Sequence, residues 1–167
     1  MKVWTVILDS GSTTLLIAEA LVRMTNITVI TNSLPAAFTL AENKDITPGG
    51  VRRYRAAQNA FRCTARLPNA SLQGICADLM FVGADGIDAT NGITTFNEGY
   101  SISSVMAAAA HQVIAVLDAS KFNRRGFNQV LPMEKIDCVI TDDGISENDR
   151  AALSSKKGGT EDSVIAR

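Results

Sequence analysis

The run Asp9-Ser10-Gly11-Ser12-Thr13-Thr14 holds the densest potential chemistry in the chain. It lies between an apolar stretch (Val3, Trp4, Val6, Ile7, Leu8) and a segment whose apolar residues (Leu15, Leu16, Ala18, Leu21, Val22) recur near helical spacing. Hydroxyl-bearing residues and a glycine at a helix start bring O–H groups and unpaired backbone N–H groups to the positive end of the helix dipole. That combination suits an anion such as phosphate. An ordinary Ser/Thr N-cap without ligand uses the same residues, although capping needs one hydroxyl and four are present here.

The elements that must position this run repeat a pattern. Apolar runs at Val3–Leu8, Ile27–Ile30, Leu79–Val82, Val113–Leu117 and Ile136–Ile140 read as strands, and Asp9, Asn32, Asp85, Asp118 and Asp142 sit at or just past their ends. Helical segments fall between them, one with Pro35 in its first turn and running to about Glu42, another Ala-rich, capped by Asn97 or Ser101 and ending near His111. A further strand is expected near Asp45-Ile46-Thr47, where Pro48-Gly49-Gly50 cuts it short, and Asn91-Gly92 predicts a turn into Ile93–Phe96. Alternating strands and helices imply an α/β fold with an open, mainly parallel, doubly wound sheet, whose C-terminal strand edge is the usual place for a ligand. Asp and Asn are also common in turns and caps for purely local reasons.

Bulk composition narrows the function. With 167 residues, 46% hydrophobic and 20% charged, the chain reads as one ordinary globular domain. A net charge of −1 gives it no electrostatic drive toward nucleic acid on its own. No run reaches membrane-spanning length, so no membrane partner is expected. Cys63, Cys76 and Cys138 are odd in number and lack metal-type spacing, which suggests reduced thiols and a cytoplasmic location. His111 is the single histidine, at a predicted helix end, so neither histidine-based catalysis nor a metal site is expected, and no cofactor is implied. From about Ser154 apolar periodicity fades, and residues 154–167 read as a loose tail in which Ser163–Ala166 is at most a weak edge strand.

Taken together, Asp9–Thr14, Thr31-Asn32-Ser33, Gly83-Ala84-Asp85-Gly86-Ile87-Asp88, Gly92–Glu98 and Asp118-Ala119-Ser120-Lys121-Phe122 resemble the C-terminal effector-sensing domain of DeoR-type bacterial repressors. The resemblance covers about residues 5–47 and 76–150 and implies a sheet like that of ribose-5-phosphate isomerase and coenzyme A transferases. It implies a phosphorylated sugar or polyol as effector. Ser10, Gly11, Ser12, Thr13 and Thr14 would hold the phosphate, with Asp9, Thr31, Asn32, Ser33, Gly83 and Asp118 around them. Asp85, Asp88, Thr94 and Glu98 would face the hydroxyls, and Lys121 would supply a cation. Around Ile93–Tyr100 and Ser120–Pro132 the text is most like members that regulate galactitol use, which implies a galactitol or tagatose phosphate. A homo-oligomer is expected, with Met106–Ala110 as a stripe of small residues that serves either helix packing or the core.

Two departures follow from the same comparison. The chain opens directly on the first strand, so the family's N-terminal winged helix-turn-helix is expected to be absent from it, and operator DNA would be contacted only through that missing domain. Residues 48–72, with Arg52, Arg53, Arg55, Arg62 and Arg66, do not follow the family's pattern and are expected to be atypical and locally disordered within a sensor domain spanning 1–153. The competing function is a sugar-phosphate isomerase, with Asp85, Asp88, Glu98 and Lys121 available for proton transfer.

Overall fold

The apolar runs at 4–8, 27–31, 77–82, 110–116 and 138–141 become neighbours in one parallel sheet. The structure is a computed structural model, and it describes residues 4–24, 26–41, 72, 74–96, 102–156 and 164–166. In chain order its elements are β1 (Trp4–Leu8), α1 (Ser12–Leu21), β2 (Ile27–Thr31), α2 (Leu34–Ala41), β3 (Ala77–Val82), β4 (Gly86–Asp88) and β5 (Gly92–Thr95). There follow α3 (Ser103–Ala108), β6 (Ala110–Val116), β7 (Asn128–Leu131), β8 (Cys138–Thr141), α4 (Glu147–Lys156) and β9 (Val164–Ala166).

The main sheet runs β2-β1-β3-β6-β8-β9 and is parallel throughout. Its centre is pinned by β1, which pairs from Trp4 with Ile27 to Leu8 with Thr31 on one side, and from Val6 with Leu79 to Leu8 with Phe81 on the other. The chain steps outward from β1 to β2 and then returns past β1 to β3. Strand order therefore reverses between β1 and β3, and in an open α/β sheet the crevice beyond the strand ends at such a reversal is where ligands bind.

Alternation along each strand separates two apolar layers. Val6, Leu8, Ile27 and Val29 face α1 and α2, where Ala18, Leu21, Ala36 and Leu40 close over them. Ile7, Ile30, Met80 and Val82 face the opposite way, into a core shared with Met106 of α3, Leu153 of α4, and Ile87, Ile93 and Leu131 of the smaller sheet. Full burial of each large aliphatic side chain stabilises by about 1.5–3 kcal/mol. Leu16, Leu34 and Phe38 of α1 and α2 instead stay exposed.

The smaller sheet, β4-β5-β7, is antiparallel; the turn expected at Asn91-Gly92 leads into β5, while β4 and β7 are strands not expected from the sequence. Gly92 makes its hairpin possible: the residue has φ +71°, and a Cβ there would fall 2.3 Å from the Leu131 carbonyl oxygen. The Ala-rich helix expected to reach His111 stops at Ala108, because Ala110 already pairs with Ala77 in the sheet, and His111 stands exposed on a strand. The tail expected to be loose from Ser154 continues α4 to Lys156, and Val164–Ala166 pairs with Val139–Thr141 as the edge strand. The expected strand at Asp45–Thr47 and the atypical window up to Ser71 lie outside the described residues. Among the described residues no helix is long and apolar enough to cross a membrane.

Candidate functional site

Helix α1 starts without a side-chain cap. Its N-cap is Gly11, which has no side-chain oxygen to offer, and the Thr14 hydroxyl turns back to donate to the Gly11 carbonyl at 3.0 Å. Leu15 N–H makes the first helical bond, to the same carbonyl at 3.1 Å. Helical geometry gives the N–H groups of the first turn, Ser12 to Thr14, no acceptor inside the helix. They stand at its positive end.

Helix α2 begins beside it. Ser33 N–H donates to Thr31 Oγ1 at 3.0 Å, and the Ser33 hydroxyl accepts from Ala36 N–H at 3.3 Å, so Thr31 and Ser33 are spent on setting this start. Pro35, with no N–H of its own, occupies the first turn. Between the two helix starts opens a cleft of about 440 Å³ lined by Ser10, Gly11, Ser12, Leu15, Asn32, Ser33, Leu34 and Pro35. Its walls combine hydroxyl, amide and backbone groups with three apolar side chains. None of the lining residues is ionisable.

Behind the cleft sits a buried carboxylate. Asp9 is 5% exposed, and its Oδ1 accepts from Ser10 N–H (2.8 Å) and from the Asn32 amide (3.0 Å). Its Oδ2 accepts from the Ser103 hydroxyl at the start of α3, and its own N–H donates to the Phe81 carbonyl at 3.0 Å. One side chain thus joins the ends of β1 and β2 to α3. Asn32 donates to Asp9, but its own Oδ1 is buried with no donor among the described residues. A buried acceptor left unpaired costs about 1–3 kcal/mol.

The remaining expected site residues fall into other arrangements. Gly83 lies against the Ser10 turn, since a Cβ there would sit 4.0 Å from the Ser10 carbonyl oxygen. Asp85 accepts from the Thr95 hydroxyl (2.7 Å) and Phe96 N–H (3.2 Å), which ties the β3–β4 loop to β5. Asp88 was expected to face a ligand. Its oxygens instead accept from Thr90 N–H, Asn91 N–H and the Asn91 amide at 2.6–3.0 Å, closing the hairpin turn. Burial alone would raise the Asp88 carboxyl's pKa, but these bonds and the charge of Arg125 outweigh it and hold the group below its ordinary value.

Thr94 was expected at the site too, yet it is 2% exposed, and its hydroxyl both donates to the Gly86 carbonyl (3.3 Å) and accepts from Gly126 N–H (2.9 Å). Asp118 caps the short turn Ala119–Lys121 through the N–H and hydroxyl of Ser120, and those bonds, the hydroxyl's first, lower its pKa. Lys121 is half-buried in that turn, and its charge adds to the effect on Asp118. Thr13 is half-buried in α1, and Glu98 lies outside the described residues. The cleft therefore gathers Ser10, Gly11, Ser12, Asn32 and Ser33, with Asp9 behind them, and leaves Asp85, Asp88, Thr94, Asp118 and Lys121 off its walls. Among the described residues, no group of three or more His, Cys, Asp or Glu could hold a metal ion.

Residues 3–143 match the family model of the DeoR C terminal sensor domain. Over 159 residues the chain is 34% identical to a candidate aga operon transcriptional repressor of Escherichia coli O157:H7, a match covering 93% of this chain and 57% of that protein. It is 30% identical over 154 residues to the HTH-type transcriptional regulator GlpR of Haloferax volcanii, covering 90% of this chain and 58% of the relative. The chain thus spans a little over half the length of these relatives. In three dimensions it is similar to ribose 5-phosphate isomerase A of Neisseria gonorrhoeae, with a TM-score of 0.51 and 16% identity over 75% of this chain and 48% of that one, a likeness of fold.

Proposed function

This chain belongs to the DeoR C-terminal sensor domain family, and from that premise we propose that its effector is a phosphorylated sugar or polyol bound in the cleft between α1 and α2. The observation that carries this reading is the pair of helix starts, at Ser12 and Leu34, facing one cleft lined by hydroxyls. Each helix N-terminus contributes the equivalent of roughly half a positive charge. The phosphate would sit on the first-turn N–H groups of α1 with the hydroxyls of Ser10 and Ser12, while Leu15, Leu34 and Pro35 flank the carbon skeleton. Asp85 and Lys121 would lie farther along the same sheet edge and meet only a longer ligand.

A galactitol or tagatose phosphate is the particular effector proposed, on the resemblance around Ile93–Tyr100 and Ser120–Pro132. Such a ligand acts by binding two conformations of the domain unequally, and in a longer repressor that difference would set affinity for operator DNA. The domain itself is not an enzyme: its family is a sensor domain, and its relatives are named as transcriptional regulators.

Thermal unfolding in the presence of a panel tests the reading, using galactitol 1-phosphate, tagatose 6-phosphate, ribose 5-phosphate and their unphosphorylated counterparts. At a hundredfold excess over Kd a true effector adds about 2.7 kcal/mol of stability, which is several degrees in Tm. A stabilising phosphorylated compound with a silent parent sugar supports the proposal. No response to any member of the panel removes it.

A further inference from the structure

The cleft and helix α3 are joined by a continuous chain of hydrogen bonds. Asn32 lines the cleft and donates its amide N–H to Asp9 Oδ1, and Asp9 Oδ2 accepts from the hydroxyl of Ser103, the first residue of α3. The carbonyl end of Asn32 is sealed from solvent and has no donor among the described residues. Reversing the amide gives no relief, because it would set the carbonyl against the Asp9 carboxylate. A donor arriving from the cleft can reach that carbonyl only if Asn32 shifts. A shift of Asn32 pulls on Asp9, and Asp9 has few ways to yield, since it is 5% exposed and also accepts from Ser10 N–H. Asp9 in turn is bonded to Ser103, itself 5% exposed, at the start of a helix whose Met106 and Ala107 are buried in the core.

We infer that Asn32, Asp9 and Ser103 form a relay in which a ligand hydroxyl donating to the Asn32 carbonyl is registered at α3. The inference rests on the reading of the cleft as a sugar- or polyol-phosphate site, and it adds two things to that reading. The ligand must present a proton donor at Asn32 in addition to its anionic group at α1. Ser103, which is not among the residues lining the cleft, is a positioning residue for the response. A buried acceptor with no donor among the described residues favours such a device, because a ligand hydroxyl would supply the bond it lacks.

Hydrogen exchange read by mass spectrometry on the whole chain tests the relay with two probes. Galactitol 1-phosphate (or whichever panel member raises Tm) carries both an anion and hydroxyl donors. Sulfate carries the charge but no proton at neutral pH. The expected result is that the sugar phosphate slows exchange of the Ser103–Ala108 amides by about fivefold or more while sulfate leaves them unchanged. Ser103→Ala should still bind the sugar phosphate but lose the slowing at α3, and Ser103→Thr, which keeps the hydroxyl, should restore it. Equal slowing by sulfate, or no slowing by a sugar phosphate that demonstrably binds, overturns the relay and leaves the ligand reading standing. Failure of every sugar phosphate to bind removes both. The wild-type arms stand without the variants should Ser103→Ala fail to fold.

Discussion

Ser103 and Asp9 are 94 positions apart, and the hydroxyl of one donates to the buried carboxylate of the other. That single bond fastens the start of α3 to the end of β1. Asp9→Ala removes the shared acceptor of Ser103, Asn32 and Ser10 N–H together. The expected cost is about 2–4 kcal/mol in urea unfolding, because three partly or fully buried donors lose the acceptor they share. A change within about 0.5 kcal/mol, the range of ordinary surface substitutions, would show that the network contributes nothing.

At the mouth of α1, stability and binding should move in opposite directions. Ser12→Asp places a carboxylate in a first turn that now has no acidic residue. It should stabilise the helix by about 0.3–1 kcal/mol through the dipole. The same charge repels an incoming phosphate, so the ligand-induced rise in Tm should vanish while the ligand-free Tm holds or climbs. An unchanged ligand response would place the anion elsewhere.

The Asp88 turn gives a pH signature. Its carboxyl pKa lies below the ordinary value of 3.8, so the unfolded chain takes up a proton there before the folded one does. The turn's contribution is therefore fully present above pH 3.8 and is lost as pH falls toward the lowered folded value. Asp88→Ala should be less stable than wild type at pH 7, and the gap should narrow by pH 3. Unfolding curves at the two pH values check this, and a gap of constant size would contradict it.

Gly92→Ala should weaken the smaller sheet. The residue's φ of +71° and the 2.3 Å approach of a Cβ to the Leu131 carbonyl oxygen both oppose a side chain. The strained backbone alone costs about 1–3 kcal/mol, and the contact adds to it. A drop in Tm with the ligand response retained would place Gly92 in the scaffold and outside the binding site.

Much of this architecture was legible in the sequence, for identifiable reasons. Strands buried on both faces must be nearly all apolar, so β1, β2, β3, β6 and β8 announced themselves, and the Asp or Asn after each marked one common edge. In the antiparallel sheet the Asn91-Gly92 turn into β5 was legible, but β4 and β7 were hidden because they are three or four residues long and include Asp88, Asn128 and Gln129, which break any apolar run. The Ala-rich stretch favoured a helix through His111 on propensity, but pairing with β3 drew Ala110 into the sheet, a tertiary demand no local pattern carries. Ser103 was missed for a related reason: a hydroxyl's partner 94 residues away leaves no trace in spacing. For Asp88 and Thr94 residue type and spacing indicate a neighbourhood only, while hydrogen bonding inside the hairpin decides what their oxygens do.

The side chains that hold the main sheet together point to its two faces, whereas the groups lining the cleft project from loops and helix starts beyond one strand edge. Residues on that rim can therefore be rewritten at little expense to the packing of the sheet. Asp9 is the exception, since it belongs to scaffold and rim at once, and a lineage drifting toward new chemistry would have to keep it while its neighbours change.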